Sequence, residues 1–204
     1  MACKMTALII LAAGESSRLG QPKQNLLFQN QTLLQRAVET GLASVCRPIV
    51  VVLGANAGAI EINIRGDVKV LYNANWNEGM ASSIRLAINE IEKINEIEKI
   101  SGINQAIITL CDQPFVTSTL IDTMLRKSIE TGELIIACSY NNIIGVPALF
   151  NKALFAELLL LKGDEGARKI LKSQPGAVTI IPFKLGIFDI DTMSDYEQLR
   201  YSGN

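Results

Sequence analysis

The stretch Ala7–Lys23, ALIILAAGESSRLGQPK, joins an apolar run to a loop of small and basic residues. A continuous apolar run of this kind is typical of a strand covered on both faces of a sheet. Similar runs recur along the chain and predict a sheet of several parallel strands. They begin at Pro48 (PIVVVLG), Val68 (VKVLYN), Ala106 (AIITL), Leu134 (LIIACS) and Ala177 (AVTIIPF).

Amphipathic segments with helical spacing separate the apolar runs. Alternating strands and helices indicate the α/β class with a largely parallel sheet. No shift in composition and no long linker divides the chain, so we expect a single domain over residues 1–204. The predicted helices span Leu33 to Ala43, Gly58 to Arg65, Met80 into the nineties, Thr117 to Thr131, Lys152 to Leu161 and Gly166 to Lys172.

One helical segment carries an internal repeat. Within Ile91–Ile100, IEKINEIEKI, the sequence IEKI occurs twice and isoleucines recur every three residues. On a helix of 3.6 residues per turn, this spacing makes the apolar stripe drift around the axis. We expect a helix extension with a solvated far end, and a partner-binding helix is the alternative.

Charge and hydropathy exclude two classes of partner. With 19 Lys and Arg against 20 Asp and Glu, the chain lacks the basic excess that drives binding to nucleic acid. No apolar run approaches the ~20 residues that span a bilayer. The segment Lys4–Ala13, KMTALIILAA, imitates a short signal peptide, but the same residues form the first strand that the pattern needs. We therefore expect no nucleic acid partner, no membrane partner and a cytoplasmic protein.

The chain contains no histidine, and its four cysteines show no C-x-x-C spacing. The usual zinc ligand sets and the histidine-dependent catalytic triads are therefore excluded. We expect reduced thiols, as in cytoplasmic proteins. Any chemistry must use carboxylates, lysine, arginine, backbone dipoles or a metal ion.

The loop after the first apolar run has the features of an anion site. Small residues let an anion approach backbone N–H groups, and Gly14 and Gly20 permit turns with positive φ. Arg18 offers a fork of donors matched to phosphate oxygens, and Lys23 offers a mobile positive charge. Neither GxxxxGK[ST] nor GxGxxG occurs in it, which disfavours the P-loop and dinucleotide-binding families. The loop predicts a polyphosphate cradle, and an ordinary turn with solvated basic side chains is the alternative.

Two later segments place carboxylates where strands are expected to end. In LCDQPFV, Leu110–Val116, Asp112 precedes a proline that stops the strand. Mg²⁺ is usually bound by one or two carboxylates together with substrate phosphates. In FDIDT, Phe188–Thr192, Asp189 and Asp191 would face the same side of a strand, and either could supply a second metal carboxylate. A helix-entry role is the alternative for Asp112.

Three further segments carry polar groups at expected helix starts. Asn73–Ile88, NANWNEGMASSIRLAI, offers N–H groups and hydroxyls either to a ligand or to its own helix as caps. In KGDEGARKIL, Asp164 is positioned to cap a helix with Arg168 one turn in. Asp195 is expected in the first turn of a last helix, where the dipole stabilises it. Ligands of open α/β sheets bind outside the carboxyl ends of the strands, so segments that follow strands are the candidates for the site.

These motifs, in this order, resemble the nucleotidyltransferases similar to molybdenum cofactor cytidylyltransferase, the MobA-like NTP transferase family. LAAGESSRLGQPK resembles the family's signature loop, and the resemblance runs from Leu8 to about Leu199. The other matching motifs are NANWNEGMASS, CDQP, GVPALF, GDEGAR and DIDTMSD. One position departs from the family pattern, because Val146 stands where a histidine is usual. The departure bears on the acceptor substrate and not on the fold.

The resemblance implies a three-layer α/β/α Rossmann-like nucleotidyltransferase fold and a Mg²⁺-dependent reaction. It implies that Arg18, Lys23 and Asp112 are catalytic and that Asp112 and Asp191 hold the metal. The nucleotide-binding residues that it implies are Leu11, Ala12, Ala13, Gly14, Ser16, Ser17, Arg18, Lys23, Gly79, Met80 and Ser83.

The implied reaction is transfer of CMP from CTP to molybdopterin cofactor with release of pyrophosphate. Ala13 favours CTP, because the guanylyl branch of the family usually has LAGG where this chain has LAAG. The implied partners are CTP or another NTP, a molybdopterin-type acceptor and a recipient molybdoenzyme. The alternatives are transfer to another phosphorylated acceptor, such as a sugar or alcohol phosphate, and a non-catalytic cofactor-binding maturation chaperone.

Overall fold

A seven-stranded sheet forms the centre of the computed structural model, which describes residues 5–61, 64–97, 102–174 and 176–202. The strands of this sheet are β1 (Met5–Ala12), β4 (Ile49–Leu53), β5 (Lys69–Tyr72), β6 (Ile103–Leu110), β7 (Ile135–Tyr140), β8 (Ile143–Asn151) and β9 (Val178–Pro182). A separate short hairpin consists of β2 (Leu27–Phe28) and β3 (Gln31–Thr32). The order in the main sheet is β5-β4-β1-β6-β8-β7-β9. The first apolar run therefore lies in the sheet interior, parallel to β4 on one side and β6 on the other.

The six predicted strands are all present, and the structure adds three that the sequence did not predict: the short β2 and β3 of the hairpin, and β8 in the main sheet. Strand β8 lies between β6 and β7 and is antiparallel to both. Its sequence, IIGVPALFN, contains Gly145 and Pro147, which weaken strand propensity and interrupt the apolar pattern. The sheet is mostly parallel, as expected, with β8 as the exception.

Helices cover both faces of the sheet. They are α1 (Leu33–Ala43), α2 (Ala57–Glu61), α3 (Met80–Ile97), α4 (Ser118–Thr131), α5 (Phe155–Leu159), α6 (Arg168–Ser173) and α7 (Met193–Ser202). One apolar cluster joins α3, α5 and α6 to one face, and a second joins α1, α2 and α4 to the other. The expected three-layer α/β/α arrangement is confirmed.

Alternate side chains of β1 pack in the two apolar clusters on opposite faces of the sheet. Leu8 and Ile10 face the α1 side, whereas Ile9 and Leu11 face the α3 side. Leu8, Ile9 and Ile10 are fully buried, and burial of each side chain stabilises the fold by roughly 1.5–3 kcal/mol. The first apolar run therefore contributes to both halves of the core.

The helix boundaries follow from local hydrogen bonds. The Thr32 hydroxyl accepts from the Gln35 N–H at the start of α1, and Thr117 accepts from Leu120 at the start of α4. Gly132, with a φ of 70°, ends α4. None of the helices in the described ranges is long and apolar enough to cross a membrane.

Two helix predictions differ from the structure in length. The helix predicted from Gly58 to Arg65 is the short α2, which ends at Glu61, and residues 62–63 lie outside the described ranges. The predicted Lys152–Leu161 helix begins with a 3₁₀ turn before α5. In the isoleucine repeat, α3 reaches Ile97, which is 79 % exposed, whereas residues 98–100 lie outside the described ranges.

The residue after β4 has no room for a side chain. A Cβ at Gly54 would lie 2.5 Å from the Trp76 Cβ and 2.7 Å from the Ala13 carbonyl oxygen. We expect Gly54→Ala to lower the free energy of unfolding by about 1–3 kcal/mol through overpacking. Gly58→Ala is the control: its Cβ meets nothing within 4 Å, so helix propensity should raise stability by up to about 1 kcal/mol. Equal changes in the free energy of unfolding for the two variants, measured with denaturant, would contradict the close packing at Gly54.

Candidate active site

A cleft of about 430 Å³ lies at the carboxyl ends of β1 and β6. Its volume is in the range of small-molecule binding sites, roughly 300–1,000 Å³. The lining residues are Leu11, Ala12, Ala13, Gly14, Glu15, Lys23, Gln24, Trp76, Asn77, Gly79, Met80, Ser83, Leu110, Cys111, Asp112 and Asp164. The cleft therefore lies where open α/β sheets bind ligands.

Lys23 lies between two carboxylates at one end of this cleft. Its Nζ is 2.5 Å from Asp112 Oδ2 and 3.0 Å from Asp191 Oδ1. The side chains of Lys23 and Asp112 are 16 % and 8 % exposed, whereas that of Asp191 is 52 % exposed. Burial alone would lower the pKa of Lys23, but the neighbouring carboxylates outweigh it and raise that pKa above its ordinary value. Lys23 is therefore positively charged in the cleft.

Asp112 has one paired and one unpaired oxygen. Oδ2 accepts the hydrogen bond from Lys23, whereas Oδ1 is buried and finds no hydrogen-bond partner among the described residues. An unpaired buried acceptor costs roughly 1–3 kcal/mol. A hard divalent cation prefers oxygen ligands of this kind, and Asp191 offers a second carboxylate nearby. The two carboxylates therefore fit Mg²⁺ or Mn²⁺.

The strand predicted through Asp189 and Asp191 is wrong, because both residues lie in a loop before α7. The backbone of this segment bonds to its own turn: Phe188 N–H donates to the Leu185 carbonyl, and Asp189 N–H to that of Ile187. Ile190 anchors the loop through a buried side chain. Partial burial, and then the charges of the neighbouring aspartates, raise the pKa of Asp189.

Asp195 holds the start of α7 and, with it, the Asp191 backbone. Its Oδ2 accepts from the Thr192 N–H at 2.7 Å and from the Asp191 N–H at 3.2 Å. The Thr192 hydroxyl accepts from the Asp195 N–H in return, which completes a capping box. The side-chain hydrogen bond with Thr192 is the main cause of a lowered Asp195 pKa. The expected first-turn position of Asp195 is confirmed.

In the loop after β1, the residues with positive φ are not both of the glycines that the sequence suggested. Gly20 has the expected positive φ of 68°, but Gly14 does not. Ser16 adopts the left-handed conformation instead, with a φ of 60°, and its Oγ accepts from the Lys23 N–H at 3.0 Å. Ser16 therefore shapes the loop and ties it to the catalytic lysine candidate.

Gln24 is a site residue that the sequence did not reveal. Its side chain is completely buried, and Nε2 donates to the carbonyls of Ala12 at 2.8 Å and Gly14 at 3.0 Å. A glutamine that follows a lysine in a polar segment carries no periodic signal of burial. Its hydrogen bonds to the backbone of the first loop can be seen only in the structure.

The far wall of the cleft is the turn before α3. Gly79 has a φ of 117°, and a Cβ there would lie 2.4 Å from the Gly163 carbonyl. The prediction that Asp164 caps a helix is wrong, because α6 begins four residues later, at Arg168, with Ala167 at its start. The Asp164 carboxylate lies beside Gly79 instead, at the edge of the cleft.

Arg85 holds this wall in place. Its guanidinium donates to the Leu161 carbonyl at 2.7 Å and pairs with Glu78 at 2.6 Å. The Glu78 pKa is lowered, mainly by the hydrogen bond from Arg85. Ser83, buried at the start of α3, accepts from the Asn73 side chain at 2.9 Å. The turn before α3 is therefore fixed on both sides.

The structure brings most of the predicted nucleotide residues together. Those that line the cleft are Leu11, Ala12, Ala13, Gly14, Lys23, Gly79, Met80 and Ser83. Ser16 is not in the lining, and neither are Ser17 and Arg18, which lie in an exposed 3₁₀ turn beside the first loop. Of the predicted metal ligands, Asp112 lines the cleft and Asp191 contacts Lys23.

Comparison with known proteins identifies the family of this chain. The MobA-like NTP transferase domain matches residues 8–178. Nicotine blue oxidoreductase from Paenarthrobacter nicotinovorans is 31% identical over 184 residues, covering 85% of this chain and 84% of that protein. Molybdenum cofactor cytidylyltransferase from Escherichia coli (strain K12) is 24% identical over 191 residues, covering 92% of each chain.

A solved structure shares the fold over nearly the whole chain. It is Rv0371C from Mycobacterium tuberculosis H37Rv in complex with manganese, with a TM-score of 0.78 and 23% identity. The superposition covers 98% of this chain and 100% of that one. Since the domain match spans most of the sequence and the cleft lies where the family signature loop meets the sheet, the chain belongs to the MobA-like NTP transferase family and is a nucleotidyltransferase.

Proposed function

We propose that this nucleotidyltransferase transfers CMP from CTP to a molybdopterin-type cofactor and releases pyrophosphate. The observation that carries the proposal is the Lys23 ammonium between Asp112 and Asp191, at the end of a cleft of nucleotide size. Similarity to molybdenum cofactor cytidylyltransferase supports the acceptor. Ala13, which lines the cleft, favours CTP.

The proposed reaction needs no nucleophile from the protein. An oxygen of the acceptor phosphate attacks the α-phosphorus of the nucleoside triphosphate in line, and the bond to the β-phosphate breaks to release pyrophosphate. The chain orients the two reactants and balances their charge. Backbone N–H groups of residues 12–17 and Lys23 hold the triphosphate and neutralise the departing pyrophosphate. Arg18 lies in the exposed turn outside the cleft lining, so its side chain would have to turn towards the phosphates to join them.

A divalent cation belongs to this proposal, and we take it to be Mg²⁺. Asp112 and Asp191 would hold it, and the unpaired Oδ1 of Asp112 is the observation that fits such a cation. The manganese complex of the Mycobacterium tuberculosis neighbour supports a divalent metal. When bound, the cation would reduce the negative charge on the phosphates.

We also propose a setting and a partner for the reaction. Cys46, Cys111 and Cys138 are free, buried thiols, and burial raises the pKa of each to about 12. Unreactive, unpaired thiols support a reducing compartment such as the cytoplasm. A molybdoenzyme that receives the finished dinucleotide cofactor is the proposed partner.

Removing either member of the buried ion pair should stop turnover. We expect Lys23→Ala and Asp112→Ala each to lower kcat by at least ~10²-fold, as for the loss of one pre-organised electrostatic contact. Pyrophosphate release from CTP with molybdenum cofactor as acceptor measures the effect. Lys127→Ala is the control, because Lys127 makes a similar ion pair with Glu130 on the exposed face of α4. Wild-type turnover in both cleft variants would contradict the site.

Lys23 should also weaken metal binding in the nucleotide-free protein. Its ammonium already neutralises both carboxylates, so Lys23→Met should bind Mn²⁺ at least about 10-fold more tightly than the wild type. Titration of free Mn²⁺ by electron paramagnetic resonance gives both affinities without any turnover. Asp112→Asn in the Lys23→Met background should abolish the gain. A Lys23→Met affinity equal to or below that of the wild type would contradict this electrostatic role.

The acceptor and the base are decided by one panel of substrates. We expect pyrophosphate release to be fastest with CTP, Mg²⁺ and molybdenum cofactor together, and to fall when any of the three is omitted. Turnover confined to GTP, or to a sugar or alcohol phosphate, would overturn the substrate assignment. Tight dinucleotide binding without pyrophosphate release would favour a cofactor chaperone.

A further inference from the structure

We infer that Gln24 is a positioning residue: its buried amide fixes residues 12–16, the phosphate loop, in the shape that presents backbone N–H groups to the triphosphate. The identity of the ligand rests on the proposed function, whereas the effect on the loop does not. Gln24 precedes Asn25 in the 3₁₀ turn that begins with Lys23. The same turn therefore carries both the Lys23 ammonium and the Gln24 amide.

Two hydrogen bonds connect the Gln24 amide to the loop. Nε2 donates to the Ala12 carbonyl at 2.8 Å and to the Gly14 carbonyl at 3.0 Å. In a trans peptide, the carbonyl and the following N–H point in opposite directions. Holding these two carbonyls on Gln24 therefore turns the N–H groups of Ala13 and Glu15 away from it. Ala13, Gly14 and Glu15 all line the cleft.

A third bond completes the anchoring of the loop carbonyls. The Ala55 N–H donates to the Ala13 carbonyl at 3.0 Å. Three successive carbonyls, at residues 12, 13 and 14, are thus held by donors from outside the loop. A run of backbone peptides oriented in this way leaves N–H groups free to form an anion-binding concavity.

Side-chain packing does not supply the same restraint. Ala12 and Ala13 are buried in the core, but a Cβ built on Gly14 meets nothing within 4 Å, and Gly14 and Glu15 are exposed. At the other end, Ser16 is tied to the Lys23 backbone at 3.0 Å. The shape of the loop from Gly14 to Ser16 therefore depends on hydrogen bonds, and Gln24 supplies the one at Gly14.

The chemistry of this position requires an amide. Carbonyl oxygens only accept hydrogen bonds, so the nitrogen of Gln24 must face them, and a glutamate of the same size could not donate when ionised. The Oε1 of Gln24 is buried and finds no partner within the described ranges. Such an unpaired acceptor costs roughly 1–3 kcal/mol, so stability alone does not account for glutamine here.

The test compares two buried glutamines. Gln24→Met removes both loop bonds, whereas Gln105→Met is the matched control, since Gln105 is 2 % exposed in β6 and bonds to Thr6 and Ser128. Backbone order parameters from ¹⁵N relaxation of the nucleotide-free proteins should fall below about 0.6 in residues 13–16 of Gln24→Met, and stay at about 0.85 there in Gln105→Met. The KM for CTP should rise at least about 10-fold in Gln24→Met alone, with the acceptor KM unchanged.

The two readouts separate this inference from the proposed function. Unchanged order parameters in residues 13–16 of folded Gln24→Met, or an equal KM change in Gln105→Met, would overturn the positioning role. Lowered order parameters with no turnover of any NTP by the wild type would support the positioning role and refute the proposed reaction. If Gln24→Met does not fold, Gln24→Leu gives the same test, because leucine is also apolar, slightly smaller and without a hydrogen-bond donor.

Discussion

The contact of one ammonium group with two carboxylates organises the whole site. Lys23 comes from the loop after β1, Asp112 from the end of β6 and Asp191 from the loop before α7. Without the lysine, two negative groups would face each other at the edge of a largely buried cleft, where repulsion is poorly screened. Lys23 therefore balances the charge of two carboxylates that come from distant parts of the chain.

The sheet and its layers could be predicted because their physical cause is local. Continuous apolar runs such as ALIILAA bury both faces of a strand, and this requirement is visible in one segment at a time. Strand β8 escaped prediction because it is antiparallel and contains Gly145 and Pro147, whose place in the sheet depends on β6 and β7. Tertiary pairing overrode local propensity there.

Some residues of the candidate site could likewise be predicted from local sequence, and others could not. Lys23 and Asp112 were candidates because their motifs follow apolar runs and carry charge, whereas Asp191 was preferred to Asp189 through the resemblance to the family. Gln24 and Gly54 were not, because their roles lie in contacts with backbone atoms of distant segments. Asp164 shows the opposite error: a helix-capping pattern was present in the sequence, yet the residue faces the cleft and α6 starts later. Local patterns reveal which groups carry chemistry, and long-range backbone contacts decide how they are held.

The loop that carries Asp191 also sets the order in which the site is completed. Asp191 lies 168 residues beyond Lys23, and its segment is held by the burial of Ile190 and Leu199 against Leu19 and Leu26. During synthesis, the phosphate loop and Asp112 emerge long before this segment. A nascent chain with a formed sheet would thus hold only one of the two carboxylates that contact Lys23, and docking of the last helix would bring the second.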